Sequence, residues 1–211
     1  MPSNFVPEAS SDAASIAVEP NDVIDDLESD TGSIIAVDSR VGAWFTYNDG
    51  TIGGSQSPLV GGTFLPELVP GPDGADTLAA HTHGGGFTAW GAGMGFDLNN
   101  SGSTKATYDA SDHTGIVFWA AGTAPVRIKL LTSATTLMSE GGDCTGTCGD
   151  NHGKIVTLTN QWQEHAVAFS ELTQENWGAK AEFDAATVIG IQFQIQKNTP
   201  FDVWIDDVAF Y

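Results

Sequence analysis

The sequence has few basic residues, only two cysteines and no long apolar run. Seven Lys and Arg residues stand against 27 Asp and Glu residues, which gives a formal net charge of -20 at pH 7. A surface of this charge repels the phosphates of nucleic acids and of anionic membranes, so we expect neither as a partner. A neutral glycan or a cation such as Ca2+ is compatible with the charge, and so is an acidic surface that only keeps the protein in solution.

Several motifs of common protein classes are absent. No run approaches the roughly 18 apolar residues that a membrane-spanning helix needs. The opening segment MPSNFVPEASSDAAS has neither the basic nor the apolar region of a signal peptide. The serine-nucleophile motif G-x-S-x-G and the zinc-protease motif H-E-x-x-H are missing as well. These absences argue against a membrane span and against two families of hydrolase, while other enzymes stay possible.

The two cysteines, Cys144 and Cys148, lie in the Gly-rich segment GGDCTGTCGDNHG. No second cysteine pair exists that could complete a four-thiolate zinc site, so a local disulfide is the preferred interpretation. A metal site assisted by His152 is the alternative. A disulfide would place the protein in an oxidising compartment, and we therefore expect it to be secreted or extracellular, at the cell surface if not free.

The chain divides into an acidic N-terminal tail or linker, residues 1–21, which we expect to be flexible, and one domain over residues 22–211. The domain consists of short segments rich in Val, Ile, Phe and Trp and bounded by Gly, Asn, Pro or Asp, and no βαβ pattern interrupts them. This arrangement predicts an all-β fold, a two-sheet antiparallel β-sandwich of the jelly-roll type. Examples of these segments are GIVFWAAG, PVRIKLLT, KIVTLTN, GIQFQIQKN and FDVWIDDVAFY.

Two predicted strands alternate between apolar and polar residues. In GIQFQIQK the apolar residues alternate with Gln192, Gln194 and Gln196, and in PVRIKL they alternate with Arg127 and Lys129. Each strand therefore has one face toward the core and one polar face. Amides and basic groups on an exposed sheet face can hydrogen-bond sugar hydroxyls, although a plain solvated face is the alternative.

Acidic residues cluster near both ends of the domain, in IDDLESD and in VWIDDVAFY. In the second segment Ile205 and Val208 both resemble core residues although they are three positions apart. Either a β-bulge lies at Asp206 and Asp207, or one carboxylate points inward. Neither cluster has a Lys or Arg nearby in sequence, so a calcium ion bound by carboxylates is expected, with two solvated acidic turns as the alternative.

The same segments carry a resemblance to a known family. Ile24–Ser29, Thr114–Ala120, Trp162–Leu172 and Trp204–Phe210 resemble motifs of galactose-binding-like jelly rolls, and most closely those of family 11 carbohydrate-binding modules. The resemblance implies a calcium ion that ties the first strand to the last. It also implies a β-glucan chain bound on the concave sheet face. The ligands it implies for Ca2+ are Glu28, Asp30 and Asp207, with Asp26 and Asp206 less closely matched.

Histidines and tryptophans supply further candidates for sugar contacts. His81 and His83 are two residues apart in AHTHGGG, so in a strand both would point to one side, as sugar-binding residues or as two ligands of an incomplete metal site. Trp119 alternates away from the core residues of its strand, and Trp90 lies beside a turn. Other aromatics beside turns are Trp44, Tyr47 and Trp177.

The sequence thus predicts a non-catalytic carbohydrate-binding module of a secreted polysaccharide-targeting protein, monomeric or part of a larger modular protein. The predicted sugar-binding residues are His81, His83, Trp90, Trp119, Arg127, Lys129, Gln192, Gln194 and Gln196. One alternative is a polysaccharide lyase or glycoside hydrolase on the same scaffold, with a lyase set drawn from His81, His83, Tyr108, Arg127 and Lys129. Another is a surface domain whose partner is a protein.

Overall fold

The structure is a computed structural model that describes residues 5–8, 15–102 and 104–211. Its regular elements are strands and single turns of 3-10 helix, which confirms the predicted all-β class. The strands in chain order are β1 (Val23–Asp25), β2 (Trp44–Asn48), β3 (Ser55–Ser57), β4 (Glu67–Pro70), β5 (Asp76–Gly85), β6 (Gly91–Asp97), β7 (Gly115–Gly122), β8 (Val126–Thr132), β9 (His152–Val156), β10 (Gln163–Ala168), β11 (Val188–Gln196) and β12 (Phe201–Phe210). The 3-10 turns are η1 (Ser133–Thr135), η2 (Met138–Glu140), η3 (Phe169–Glu171) and η4 (Ala185–Thr187).

The strands form two antiparallel sheets that pack face to face. One has five strands in the order β2-β6-β11-β8-β9. The other has seven, with the central order β10-β7-β12-β5-β3, while β1 pairs with β12 and β4 pairs with β5. Neighbours such as β11 and β6 are far apart in sequence, so most pairings are long-range. The two-sheet sandwich agrees with the architecture predicted from the sequence.

Alternation along the strands divides the two sheets into inner and outer faces. In β11, Ile191, Phe193 and Ile195 are buried in the main core between the sheets, while the intervening glutamines point outward. A second, smaller apolar cluster lies on the outer face of the seven-stranded sheet and includes Trp162 and Trp204. On the outer face of the five-stranded sheet, Gln196 is exposed and Gln192 is half-buried, whereas Gln194, Arg127 and Lys129 are buried.

The last strand contains a β-bulge, which is one of the two alternatives that its broken rhythm predicts, and the Asp206 carboxylate beside it is buried as well. The pairing of β12 with β7 shifts register between Asp206 and Ala209, and Asp207 has a positive φ of 48°. Because of this extra residue, Ile205 and Val208 both reach the core with no exposed surface. The bulge also turns the two carboxylates toward the segment that follows β1.

Part of the predicted N-terminal tail lies against the seven-stranded sheet. Glu8 forms a bridge with Gln161, and the backbone N–H of Ile16 donates to Glu164 Oε2 over 2.9 Å. The rest of the predicted tail, residues 1–4 and 9–14, lies outside the described residues. Within the described part of the chain no helix has the length and apolar character to cross a membrane.

Candidate functional site

A groove of about 580 Å3 crosses the outer face of the five-stranded sheet. Its base includes the outward side chains of β11, Gln192, Gln194 and Gln196, as the sequence predicts for that face. Gln194 is held in place because its Nε2 donates to the carbonyl of Trp90 over 3.1 Å. Beyond Gln192 the groove continues into a second depression of about 260 Å3 beside Phe45. The surface is therefore long and polar at its base.

A glycine in β6 makes room for an aromatic ring at the edge of the groove. Gly91, Gly93 and Gly95 occupy the outward positions of this strand, where they pair with the three glutamines of β11. A Cβ atom at Gly93 would lie 2.6 Å from the hydroxyl of Tyr47, which is closer than real side chains approach. The absence of a side chain at this position therefore lets the Tyr47 ring lie over the strand.

One wall of the groove consists of Tyr47 and Trp90. Their rings stack with centroids 5.9 Å apart, and Trp90 is 43% exposed. Asp49 holds the loop that carries Trp90, since its Oδ2 accepts from the backbone N–H groups of Ala89, Trp90 and Gly91 at 2.8 to 2.9 Å. Desolvation opposes ionisation of Asp49, but these hydrogen bonds and those from Thr51 outweigh it and lower its pKa below the usual value.

The opposite wall is Trp177, which is 55% exposed. Its loop is held by the buried Asp150, whose side chain accepts from the N–H groups of Glu175, Trp177 and Gly178 at 2.8 to 3.1 Å. Asp150 follows directly after the disulfide between Cys144 and Cys148, which confirms the predicted pairing. The disulfide loop and the tryptophan loop are therefore coupled through one carboxylate.

Lys129 lies in the groove with 9% of its surface exposed, and its Nζ is 5.5 Å from the centre of the Tyr47 ring. Burial, with a smaller contribution from Arg127, lowers its pKa from 10.5 to about 8, while Glu175 acts in the opposite direction. Arg127, its neighbour on the same face, is covered by the tryptophan loop. Its guanidinium donates to the carbonyl of Thr173 and lies 3.9 Å from Glu175.

Two further polar atoms in the groove are buried and unsatisfied. Asn151 Oδ1 and the hydroxyl of Tyr47 have no hydrogen-bond partner among the described residues. Both residues line the groove, and buried polar atoms normally have a partner from the protein, from water or from a ligand. Within the described chain neither atom has such a protein partner.

The predicted histidine pair lies on the other sheet, which corrects the expectation of one shared surface. His81 and His83 are on β5 of the seven-stranded sheet, and their rings stack with centroids 5.1 Å apart. His81 is buried against the ring of Trp204, with Nε2 3.0 Å from Asp202 Oδ1 and Nδ1 3.1 Å from Glu67 Oε2. Burial, followed by the adjacent His81, lowers the pKa of His83. Neither side chain reaches the groove, because they face away from the five-stranded sheet.

Trp119 is also remote from the groove. It points outward from β7, as its parity predicts, but β7 belongs to the seven-stranded sheet. There it lines a pocket of about 440 Å3 together with Glu28, Asp206 and Asp207. Trp44, another aromatic beside a turn, is buried and donates through Nε1 to Asp25.

The residues considered for a lyase do not form one site. Arg127 and Lys129 lie on the five-stranded sheet, whereas His81 and His83 lie on the other sheet. Tyr108 is buried elsewhere, and its hydroxyl donates to Asp38 over 2.9 Å. The structure therefore separates the basic groups from the proposed proton acceptors.

Four of the five predicted calcium ligands interact electrostatically near the bulge, namely Asp26, Glu28, Asp206 and Asp207, and the last three line one pocket. Burial raises the pKa of Asp206 to about 8 and that of Asp207 to about 6, and both shifts include repulsion from neighbouring carboxylates, among them Asp26 and Glu28. Asp30 is exposed and does not line the pocket that contains Glu28, Asp206 and Asp207. As the side chains stand, no group of three His, Cys, Asp or Glu residues in the described chain is arranged to hold a metal ion.

Comparison with known proteins identifies the fold. The chain is similar to the family 11 carbohydrate-binding module of a cellulosomal cellulase of Clostridium thermocellum, with a TM-score of 0.59 and 13% identity over 93% of this chain and 95% of the other. A family 11 module from the same organism, in complex with a β-1,3-1,4-mixed-linked tetrasaccharide, gives a TM-score of 0.50 and 14% identity over 79% and 94% of the two chains.

A family 30 carbohydrate-binding module is similar to the same degree, with a TM-score of 0.50 and 16% identity over 80% of this chain and 99% of the other. No protein-family model matches the sequence, and no curated protein matches it significantly. At these identities the likeness shows that the chain has the sandwich fold of these modules.

Five of the nine residues predicted to bind sugar line the groove, and several other residues that line it were not among the predictions. Trp90, Lys129, Gln192, Gln194 and Gln196 line the groove. Those missed are Asn151, Glu175 and Lys197, and Tyr47 and Trp177 were recognised only as aromatics beside turns. Proximity to glycine-rich loops was the only local signal for them, because their positions depend on contacts with residues distant in sequence.

Proposed function

We propose that this protein is a non-catalytic carbohydrate-binding module that binds a glycan chain in the groove of the five-stranded sheet. The observation that carries the proposal is the pair of exposed aromatic walls, Trp90 and Trp177, on either side of a row of outward glutamines. The similarity to modules of families 11 and 30 supports it through the shared fold.

The chemistry of the groove suits a sugar chain. Pyranose rings present C–H groups on their faces and hydroxyls at their edges, so a flat aromatic ring can stack on the face while amides bond the edge. Stacking would use Trp90, backed by Tyr47, and Trp177. Gln192, Gln196 and the unsatisfied Asn151 would exchange hydrogen bonds with hydroxyls.

The composition of the groove favours binding over hydrolysis. Glycosidases use two carboxyl groups on either side of the scissile bond. Glu175 is the single carboxylate among the residues that line the main groove, and it lies beside Arg127. We therefore expect no release of reducing ends and no absorbance from unsaturated products when the protein is incubated with polysaccharides.

The test is calorimetry or affinity electrophoresis with a panel of β-glucans, xylans, mannans and galactans. At least one polymer should bind, and Trp90→Ala and Trp177→Ala should each weaken that binding about tenfold or more, since a buried aromatic contact contributes on the order of 1–3 kcal/mol. Trp119→Ala, on the opposite sheet, is the matched control and should bind normally. Absence of binding to every polymer, or equal binding by all three variants, would contradict the proposal.

We further propose that Ca2+ binds at the bulge and that the protein acts outside the cell. Asp26, Glu28, Asp206 and Asp207 would supply hard oxygen ligands, which Ca2+ prefers, after rotation of their side chains. Within the described chain no Lys, Arg or His lies within 4.0 Å of these carboxylates, so a cation would relieve their mutual repulsion. The disulfide supports an oxidising location.

A further inference from the structure

We propose that the groove recognises a glycan with isolated uronic acid residues among neutral sugars, and that Lys129 binds the carboxylate. This inference rests on the proposed function and specifies its ligand. It starts from the position of Lys129, whose side chain is nine-tenths buried and lines the groove.

The ammonium of Lys129 lacks the anionic partner that a buried cation normally has. Among the described residues no carboxylate lies within 4.0 Å of its Nζ and no hydrogen bond uses it, so the Tyr47 ring, 5.5 Å away, is its nearest recognised contact. Glu175, the nearest acidic candidate, lies 3.9 Å from Arg127 instead. A buried charge without a partner costs free energy of folding, as the lowered pKa of Lys129 also indicates.

The charge of the groove is opposite to that of the protein. The chain has a net charge of -20, yet Lys129 and Lys197 line the groove and Arg127 offsets Glu175 there. An anionic group would therefore be attracted locally, and a carboxylate at Lys129 would gain a charge-assisted hydrogen bond. The face of the Tyr47 ring, 5.5 Å from the ammonium, forms the other side of this position.

The same charge distribution limits how acidic the ligand can be. A dense polyanion such as polygalacturonate would experience repulsion from the acidic surface around the groove, and only one buried ammonium is present to offset it. A neutral chain with occasional carboxylates places one charge at Lys129 and leaves hydroxyls for the glutamines. Sparsely acidic glycans are therefore favoured over both neutral and fully acidic ones.

The experiment compares two forms of one polymer. The neutral glycan that binds best in the panel is oxidised at a small fraction of its primary hydroxyls to carboxylates, and glucuronoxylan is compared with its carboxyl-reduced form. For each pair, the carboxylated form should bind the unmodified protein about tenfold or more tightly, the gain expected from one charged hydrogen bond. Polygalacturonate should bind more weakly than either carboxylated form.

Variants assign the effect to Lys129. Lys129→Gln should abolish the preference, so that the carboxylated and the neutral form bind this variant with the same affinity. Lys180→Gln removes the same charge from an exposed position outside the groove and should keep the preference. Equal binding of both forms by the unmodified protein, or a preference that survives Lys129→Gln, would overturn the inference while glycan binding itself stands. No binding of any form would instead contradict the proposed function.

Discussion

The backbone N–H of Trp177 donates to Oδ2 of Asp150 over 3.0 Å, so a buried carboxylate fixes an exposed aromatic side chain 27 positions along the chain. On the opposite wall, Asp49 holds the loop of Trp90 in the same way, because its carboxylate accepts from the backbone N–H groups of Trp90 and of the residues on either side of it. Preorganised loops of this kind reduce the entropy lost when a ligand binds. Each wall of the groove is therefore held by an aspartate that does not itself line the groove.

Replacement of Asp150 should weaken glycan binding even though Asp150 does not line the groove. Asp150→Ala removes the acceptor for three N–H groups, and we expect about tenfold lower affinity in calorimetry because the Trp177 loop no longer holds one conformation. Asp143→Ala, at an exposed position in the disulfide loop, is the control and should bind as the unmodified protein does. If Asp150→Ala binds normally, Trp177 does not need this support.

The pH dependence of stability should report the buried lysine. Because the pKa of Lys129 is about 8 in the folded protein and 10.5 in the unfolded chain, the unfolded state binds more protons between these values. The contribution of Lys129 therefore destabilises the fold fully below pH 8, and this penalty declines as pH rises to 10.5. Lys129→Met should increase the free energy of unfolding at pH 7 by roughly 1–3 kcal/mol.

Urea denaturation of both proteins from pH 7 to pH 10.5 measures this effect. The difference between Lys129→Met and the unmodified protein should shrink steadily across that range. Lys180→Met serves as a control, because its position is exposed and its replacement should change stability little at any pH. A constant difference from pH 7 to pH 10.5 would show that the ammonium is not destabilised in the groove.

Calcium should stabilise the fold if it binds at the bulge. A ligand that binds only the folded state raises the melting temperature, so EGTA should lower it by several degrees and added Ca2+ should restore it. Glu28→Gln should respond less to Ca2+ than the unmodified protein, and Glu67→Gln, which is not part of the cluster, should respond fully. Identical melting curves in EGTA and in Ca2+ would argue that the four carboxylates do not bind this ion.

The disulfide should affect both stability and the groove. It closes a short loop, with a sequence separation of 4, and loop-closure entropy gives about 2 kcal/mol of stabilisation for a loop of this size. The double variant Cys144→Ser and Cys148→Ser should therefore lose up to about that amount in urea denaturation. It should also bind glycan more weakly, because Asp150 follows the loop directly. If the double variant loses stability but binds glycan with unchanged affinity, the disulfide loop does not support the loop that carries Trp177.

Residue patterns within single strands predicted much of the fold and part of the site. Alternation in β11 placed Gln192, Gln194 and Gln196 on an outer face, and the broken rhythm of β12 predicted the bulge. Alternation also put His81 and His83 on one side of β5. It gave no information on which sheet β5 joins, because that depends on pairing with the distant strands β12 and β3.

The aromatic walls were beyond the reach of local patterns for a related reason. The loop that carries Trp177 is bonded to Asp150, and no short-range spacing reports that contact. The position of the Tyr47 ring was equally hidden, since it depends on the strand partners of Gly93. Gly93 has the Tyr47 ring on one side and Gln194 on the other, in strands that begin near residues 44 and 188.

The glycines of β6 also limit how this surface can vary. A Cβ atom at Gly91, Gly93 or Gly95 would lie 2.0 to 2.4 Å from a backbone carbonyl oxygen of β11, so a side chain at any of these positions would force the two strands apart. Evolution or a protein engineer could therefore reshape the groove through the loops that carry Trp90 and Trp177, whereas the paired strands beneath them would resist substitution.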